Sequence, residues 1–529
     1  MLTGENFVGY TRSAKGSSVF QTFNPVQNDF LPSHFTEATD EEIDEACMLA
    51  QKAFVILSQQ PFRNRAIFLR KIILEMNSAK VHILECYCLE SGLSKDRAAI
   101  EFQRTINQIE LFADYIEKGS FLEASIDTGD LNRIPPKPDL RKKMVGIGPV
   151  LVFGASNFPL AYSTVGGDTI SAFAAGCPVI VKSHPMHPGT GELVAQCVVR
   201  AAKAAEMPEG IFSNLNGKSF NVGQNLVLHP MIKAVGFTGS HAGGRALFDL
   251  ASKRKEPIPV FAEMGSVNPI IILPDAILFD RKKWVERIAL SVTNDAGQFC
   301  TKPGILFVLK TDESRIFVEE LKQEILIKSS VSMLHPDILN RYKKRLKEVS
   351  NCLGVNQEIA PSNDAQNEGP NTVSVCGIAD FLNAEALHEE VFGPHTIVVE
   401  CNSLQDVLAG LDKLGGQLTC TLIGSEKEFL IQNEFISVIQ QKAGRLIFNG
   451  VPTGVEVNVS SHHGGPYPAT TDSRFTAVGV DAIKRFCRPV VFQNCPNELL
   501  PDELKNKNVF KIIRRVNGIF KTEDINDER

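Results

Sequence analysis

Between residues 36 and 116 apolar positions recur at helical spacing. Thr36-Glu37-Ala38-Thr39-Asp40-Glu41-Glu42 offers an N-cap followed by first-turn acids, and Ala46, Ala50 and Ala53 continue the pattern. The spacing predicts a mainly helical first segment. The pattern breaks near 121–142, where Ile134-Pro135-Pro136-Lys137-Pro138 cannot be helical and reads as an excursion or edge ribbon.

Strand and helix then alternate. Val145-Gly146-Ile147-Gly148-Pro149-Val150-Leu151-Val152-Phe153-Gly154 is a short apolar run ending in glycine, as buried parallel strands do. A helix is predicted over 169–175, a strand over 177–182, a helix over 192–205 and a strand over 234–239. Repeated βαβ units imply a parallel, doubly wound α/β sheet that binds its ligand at the strands' carboxyl ends. A second α/β region is expected from 259 to about 454, with strands at 269–273, 304–309 and 446–450. Extended apolar sequence returns at 489–493, ahead of a charged tail.

At 529 residues the chain exceeds one core and suggests several folding units. Its 43% hydrophobic and 22% charged residues are ordinary for a soluble globular protein. A net charge of −6 gives no electrostatic case for nucleic acid, and local basic clusters such as Lys253-Arg254-Lys255 read as solvated helix ends or loops. Between Lys143 and Lys182 only Asp168 is charged, but Pro149, Pro159, Pro178 and several glycines interrupt any membrane span. Twelve cysteines show no disulfide or zinc spacing, and the amino terminus has no secretory signature; a reducing cytoplasm is expected, with no metal.

Cys300 stands between glycines in Gly297-Gln298-Phe299-Cys300-Thr301-Lys302-Pro303-Gly304. Glu263 is a lone carboxylate in Ala262-Glu263-Met264-Gly265-Ser266. A thiol on a tight turn and a sheltered carboxylate suit covalent thioester chemistry. Gly236-Phe237-Thr238-Gly239-Ser240-His241-Ala242-Gly243-Gly244, between strand and helix, could present backbone N–H groups to a phosphate. A dinucleotide fold then calls for an acid about 20 residues on, so spacing also allows Glu263 a ribose-binding role. Lys182 ends a strand, facing either a ligand or solvent. The Asn157 amide could donate to an oxyanion or cap a helix.

Six segments in order resemble the aldehyde dehydrogenase superfamily: Asn157-Phe158-Pro159, Lys182, Phe237-Thr238-Gly239-Ser240, Glu263-Met264-Gly265-Ser266-Val267-Asn268-Pro269, Gly297-Gln298-Phe299-Cys300 and Glu389-Glu390-Val391-Phe392-Gly393-Pro394. The resemblance implies that Cys300 attacks an aldehyde, with the oxyanion held by Asn157 and the Cys300 N–H. Glu263 then activates water against the thioester. It places Lys182, Ser183 and His184 near the adenosine ribose. Phe237, Thr238, Gly239, Ser240 and Gly243 fall at the pyrophosphate turn, and Glu390 and Phe392 at the nicotinamide side. Many NAD-preferring relatives carry an acid where this chain has Pro185, so NADP is the expected cofactor, with NAD allowed.

Phe448-Asn449-Gly450-Val451-Pro452-Thr453-Gly454 and His463-Gly464-Gly465-Pro466-Tyr467-Pro468-Ala469-Thr470-Thr471-Asp472-Ser473-Arg474 are similar to the α-ketoglutaric semialdehyde (2,5-dioxovalerate) dehydrogenases. Expected substrate contacts are Phe158, Phe299 and Arg474, the last as a cation for an oxo-acid tail. A medium- or long-chain fatty aldehyde dehydrogenase is the alternative substrate reading, and a non-catalytic binding member the alternative of another class. The implied architecture has a Rossmann-like cofactor domain (1–120 and 143–258) and an α/β catalytic domain (259–465). An oligomerisation ribbon (121–142 and 466–500) and a tail (501–529) complete it, as a homodimer or homotetramer.

Overall fold

The helical periodicity of the first segment resolves into four helices, Asp40–Leu57, Arg63–Ser78, Lys80–Ser91 and Lys95–Glu117. The first is capped reciprocally: the Thr39 hydroxyl accepts from the Glu42 N–H, while the Glu42 carboxylate accepts the Thr39 N–H at 2.8 Å. Its buried stripe is Ile43, Ala46, Ala50, Ala53 and Leu57. The computed structural model describes residues 2–361, 366–431 and 433–526.

The first sheet runs Val260–Met264, Ala234–Gly239, Val150–Phe153, Val179–Lys182, Phe212–Leu215, all parallel, then Asn6–Val8 and Thr11–Ser13 as an antiparallel edge. Alternate residues feed opposite faces. Val150, Val152, Val179 and Val181 join one apolar cluster, and Leu151, Ile180, Val235 and Val260 the other. Burial on both faces is why these strands read as continuous apolar runs. The expected division placed 259 onward in the catalytic unit, but Val260–Met264 pairs along Ala234–Gly239 and so belongs to this sheet. Its strand carries Glu263.

The second sheet orders Asn356–Ile359, Thr372–Gly377, His395–Cys401, Ile305–Leu309, Ile270–Ile272, Gln417–Ile423 and Ala443–Phe448, with only the first strand antiparallel. Helix Pro274–Thr293 covers one face through Trp284, Val285, Ile288 and Val292.

A third, five-stranded sheet joins distant parts of the chain in the order Cys487–Gln493, Leu140–Gly146, Ser125–Asp127, Arg514–Val516 and Ile519–Lys521. The proline-rich excursion is a surface hairpin bridged at Asp130 and Lys137, with Ile134 96% exposed. Two differences from expectation arise here. The ribbon strand Leu140–Gly146 extends beyond 142, and the charged tail is no mere extension, because it supplies two strands. Arg514 explains the second: it is fully buried, and its guanidinium donates to the carbonyls of Lys505, Asn506 and Glu523.

Candidate active site

A cavity of about 1360 Å³ opens where the carboxyl ends of the first sheet's strands face loops of the second unit. Its lining includes Asn157, Phe158, Lys182, His184, Phe237, Thr238, Gly239, Ser240, Gly243, Glu263, Cys300, Glu390 and Phe392. Most of the residues singled out in the sequence therefore meet in one place.

Cys300 is aimed by an unusual turn. After helix Pro274–Thr293 three consecutive residues, Asp295, Ala296 and Gly297, take left-handed φ values of 46°, 55° and 62°. At Gly297 a Cβ would lie 2.4 Å from the Gly393 carbonyl oxygen, so only glycine fits. Buried polar groups fix the following loop. The Asn268 amide donates to the carbonyls of Cys300 (2.8 Å) and Lys302 (3.0 Å), and the Lys302 ammonium to those of Val391 and His395. Burial and the carboxylates of Glu263 and Glu390 push the Cys300 thiol well above its ordinary range.

Asn157 follows strand Val150–Phe153, and its amide donates to the Gln298 carbonyl at 2.9 Å, on the turn that carries Cys300. A primary amide has two N–H donors, so this bond anchors the group and leaves a hydrogen for an oxyanion. The Asn157 loop is itself pinned by the buried Glu101 carboxylate, which accepts the Leu160 and Ala161 N–H groups at 2.9 Å each.

Glu263 is 4% exposed, and neither of its carboxylate oxygens has an aligned hydrogen bond. Its near neighbour is a residue that the sequence reading did not single out, His463. The imidazole Nε2 stands 2.8 Å from Glu263 Oε1 and 3.4 Å from Cys300 Sγ, and the three groups lie within 4.8 Å of one another. The segment after His463 runs beside Glu263's strand: the Met264 N–H donates to the Ala469 carbonyl, and the Thr471 N–H to that of Ala262. The only local signal was the His463-Gly464-Gly465 sequence. At Gly465 a Cβ would meet the Gln417 carbonyl oxygen at 2.1 Å, so the glycine permits a close backbone approach there.

On the dinucleotide side, Ser240 caps helix His241–Ser252 through the Gly243 N–H, leaving the helix N-terminus turned to the cavity. A Cβ at Gly239 would lie 2.6 Å from the Phe237 ring. Lys182 donates to the Gly217 carbonyl, and burial lowers its ammonium to about 8 while Glu37 opposes the shift. His184 stacks on His187 with ring centroids 5.2 Å apart, and burial holds its imidazole well below the usual range. A Cβ at Gly265 would fall 2.1 Å from the Glu390 carboxylate, whose proton affinity burial raises. A helix N-terminus, a lysine and a second carboxylate along one cleft fit a dinucleotide.

Three expected site residues lie elsewhere. Ser183 is 1% exposed and absent from the lining; its hydroxyl faces Gly191 on helix Pro188–Ala204. Phe299 is buried behind the cavity wall, edge-on to Phe158 at 5.6 Å and under the Arg97 guanidinium. Arg474 points into solvent with a side chain 78% exposed, held by the Asp472 carboxylate, which accepts from its Nε, Nη2 and backbone N–H. Two other arginines stand closer. Arg104 donates to the Tyr162 hydroxyl at 3.3 Å and keeps Nη1 unpartnered. Arg445 donates to the carbonyls of Pro452 and Gly454 and keeps Nε unpartnered. Both lie within electrostatic range of Cys300 and Tyr162.

Residues 10–338 match the model of the Aldehyde dehydrogenase family. The chain is 41% identical over 525 residues to an alpha-ketoglutaric semialdehyde dehydrogenase of Acinetobacter baylyi, covering 98% of each chain. It is 40% identical to alpha-ketoglutaric semialdehyde dehydrogenase 2 of Azospirillum brasilense, covering 98% of this chain and 99% of that one. Among solved structures, an NADP-dependent glyceraldehyde-3-phosphate dehydrogenase from Bacillus halodurans complexed with NADP superposes with a TM-score of 0.79. That match has 18% identity and covers 93% of this chain and 99% of the other.

Proposed function

The chain belongs to the aldehyde dehydrogenase family, and from that premise we propose that it oxidises α-ketoglutaric semialdehyde to 2-oxoglutarate. The observation that carries the chemistry is the meeting of Cys300, Glu263 and Asn157 at one cavity. Near-full-length similarity to two semialdehyde dehydrogenases supports the substrate.

The residues divide the labour. The Cys300 thiolate adds to the aldehyde carbon, and the Asn157 amide with the Cys300 backbone N–H receives the oxyanion. Aimed donors of this kind are each worth about 3–4 kcal/mol in the transition state. A nicotinamide dinucleotide, when bound, supplies the hydride acceptor. Lys182, His184, Thr238, Ser240, Gly243, Glu390 and Phe392 would hold it. Glu263 takes a proton from water as the hydroxyl attacks the thioester, and the C–S bond breaks to free the acid.

The cation expected near the oxo-acid tail is, in this reading, supplied by Arg104 and Arg445, which stand behind the cavity lining within electrostatic range of Cys300, and not by the exposed Arg474. Pro185 in place of an acid, together with Lys182, supports NADP as the preferred cofactor. The outer strand Cys487–Gln493, with Arg488, Pro489 and Val491 exposed, supports pairing across subunits in a homodimer or homotetramer.

An aldehyde panel with both cofactors tests the substrate. The highest kcat/KM is expected for the semialdehyde, and lost in Arg104→Met and Arg445→Met mainly through KM. Preference for an aliphatic aldehyde would reject the oxo-acid reading while leaving the thioester chemistry intact.

A further inference from the structure

We propose that His463 is the proton partner of Cys300: its Nε2 takes the thiol proton, and the imidazolium so formed is held by Glu263. The proposal rests on the roles given to Cys300 and Glu263 above, and adds a third member to them.

Geometry comes first. A single nitrogen, Nε2, faces both groups, at 3.4 Å from the sulfur and 2.8 Å from the carboxylate. The sulfur contact meets hydrogen-bond geometry, and Glu263 interacts with the thiol as well as with the imidazole, so the three groups form one cluster. One nitrogen is thus within reach of the thiol proton while the carboxylate stands beside it, which is the arrangement a proton transfer from sulfur to imidazole needs. His463 is 1% exposed and fixed from behind, its N–H donating to the Thr476 hydroxyl at 2.8 Å and its carbonyl accepting the Ala477 N–H.

Charge counting then gives the reason. Losing the thiol proton to solvent would set a thiolate beside the Glu263 carboxylate in a buried site, adding a second negative charge. Moving it to Nε2 turns carboxylate, thiol and neutral imidazole into carboxylate, thiolate and imidazolium. The cluster's net charge is unchanged, and the cation lies between the two anions. The S–H bond breaks, an N–H bond forms, and no other group changes. When the thioester is hydrolysed, the departing thiolate recovers that proton from Nε2.

Other charged groups face the pair from every side. Glu390, itself near Lys302, stands on the loop before strand His395–Cys401, Arg104 on helix Lys95–Glu117, and Arg445 on strand Ala443–Phe448. Tyr162 packs against the imidazole with ring centroids 6.2 Å apart, and His462 is its chain neighbour. Around the thiol, Glu390 disfavours the thiolate while Arg104 favours it.

The test is iodoacetamide alkylation of Cys300 in cofactor-free enzyme, followed by mass spectrometry across pH. His463→Gln and His463→Phe are each expected to slow alkylation near neutral pH by about tenfold or more and to move the profile's inflection upward. Profiles unchanged in both variants, with melting temperatures intact, would overturn the proposal. Should neither variant fold, the ultraviolet thiolate absorbance of unsubstituted enzyme, taken as a difference against Cys300→Ser, decides. Because the proton passes to Nε2 and not to solvent, thiolate is expected near neutral pH despite the burial and carboxylates that oppose its loss to water, and its absence refutes the pairing. Full turnover in Cys300→Ser would instead remove the thioester reading on which the proposal stands.

Discussion

Glu101 and Glu263 are both buried carboxylates, 0% and 4% exposed, yet the protein treats them in opposite ways. Glu101 is saturated. It accepts two backbone N–H groups, the Tyr87 hydroxyl at 2.6 Å and the Arg97 guanidinium at 2.8 Å, and in doing so fixes the loop that presents Asn157. Glu263 has no backbone N–H and no guanidinium on it, only the His463 imidazole at 2.8 Å and the Cys300 thiol beside it. A buried carboxylate held so lightly costs free energy, and Glu263, unlike Glu101, lines the cavity where a reacting molecule would sit. Two lysines repeat the contrast. Lys302 is buried against two carbonyls in the framework, while Lys182 lines the cavity.

Breaking the lightly held member has the largest expected effect on rate. Glu263→Gln is expected to lower turnover by about 10²–10⁴-fold, the span of general acid–base catalysis. Acylated Cys300 should accumulate in the mass spectrum while the melting temperature holds. A large loss of stability in this variant would erase the contrast with Glu101.

Breaking the saturated member should act through folding. Glu101→Ala removes an anion from a buried network and is expected to cost about 3–5 kcal/mol in denaturant unfolding. Unchanged unfolding would mean that the Arg97–Asp295 pair, at 2.9 Å, suffices to hold the region.

The smallest effect is a pH dependence at Lys182, whose ammonium burial brings to about 8. A 2′-phosphate gains from this side chain only while it is charged. NADP affinity should therefore be full below pH about 8 and fall as pH rises through that value, with NAD changing less. Calorimetric titration with both cofactors reads it, and parallel profiles would remove Lys182 from phosphate recognition.

Local signals carried much of the fold and part of the site. The continuous apolar run through Val150, Leu151 and Val152 announced a strand buried on both faces, and the glycines around Cys300 announced a turn that a Cβ would block. Phe212–Leu215 was missed because Ser213 and Asn214 break its apolar pattern while both are buried in the sheet. The tail strands Arg514–Val516 and Ile519–Lys521 were missed for a related reason. They are short and charged, and their pairing depends on Ser125–Asp127 far back in the chain.

The sequence by itself determined which residues can do chemistry and which segments must be buried, because thiol reactivity, glycine conformation and apolar periodicity are properties of the residue and its near neighbours. Tertiary structure decided who meets whom. It turned Arg474 toward Asp472, drew Ser183 and Phe299 behind the wall, and brought His463 against Cys300 and Glu263. Those contacts depend on how a late segment lies along an earlier strand, and long-range backbone pairing of that kind leaves no periodic trace in the residues it joins.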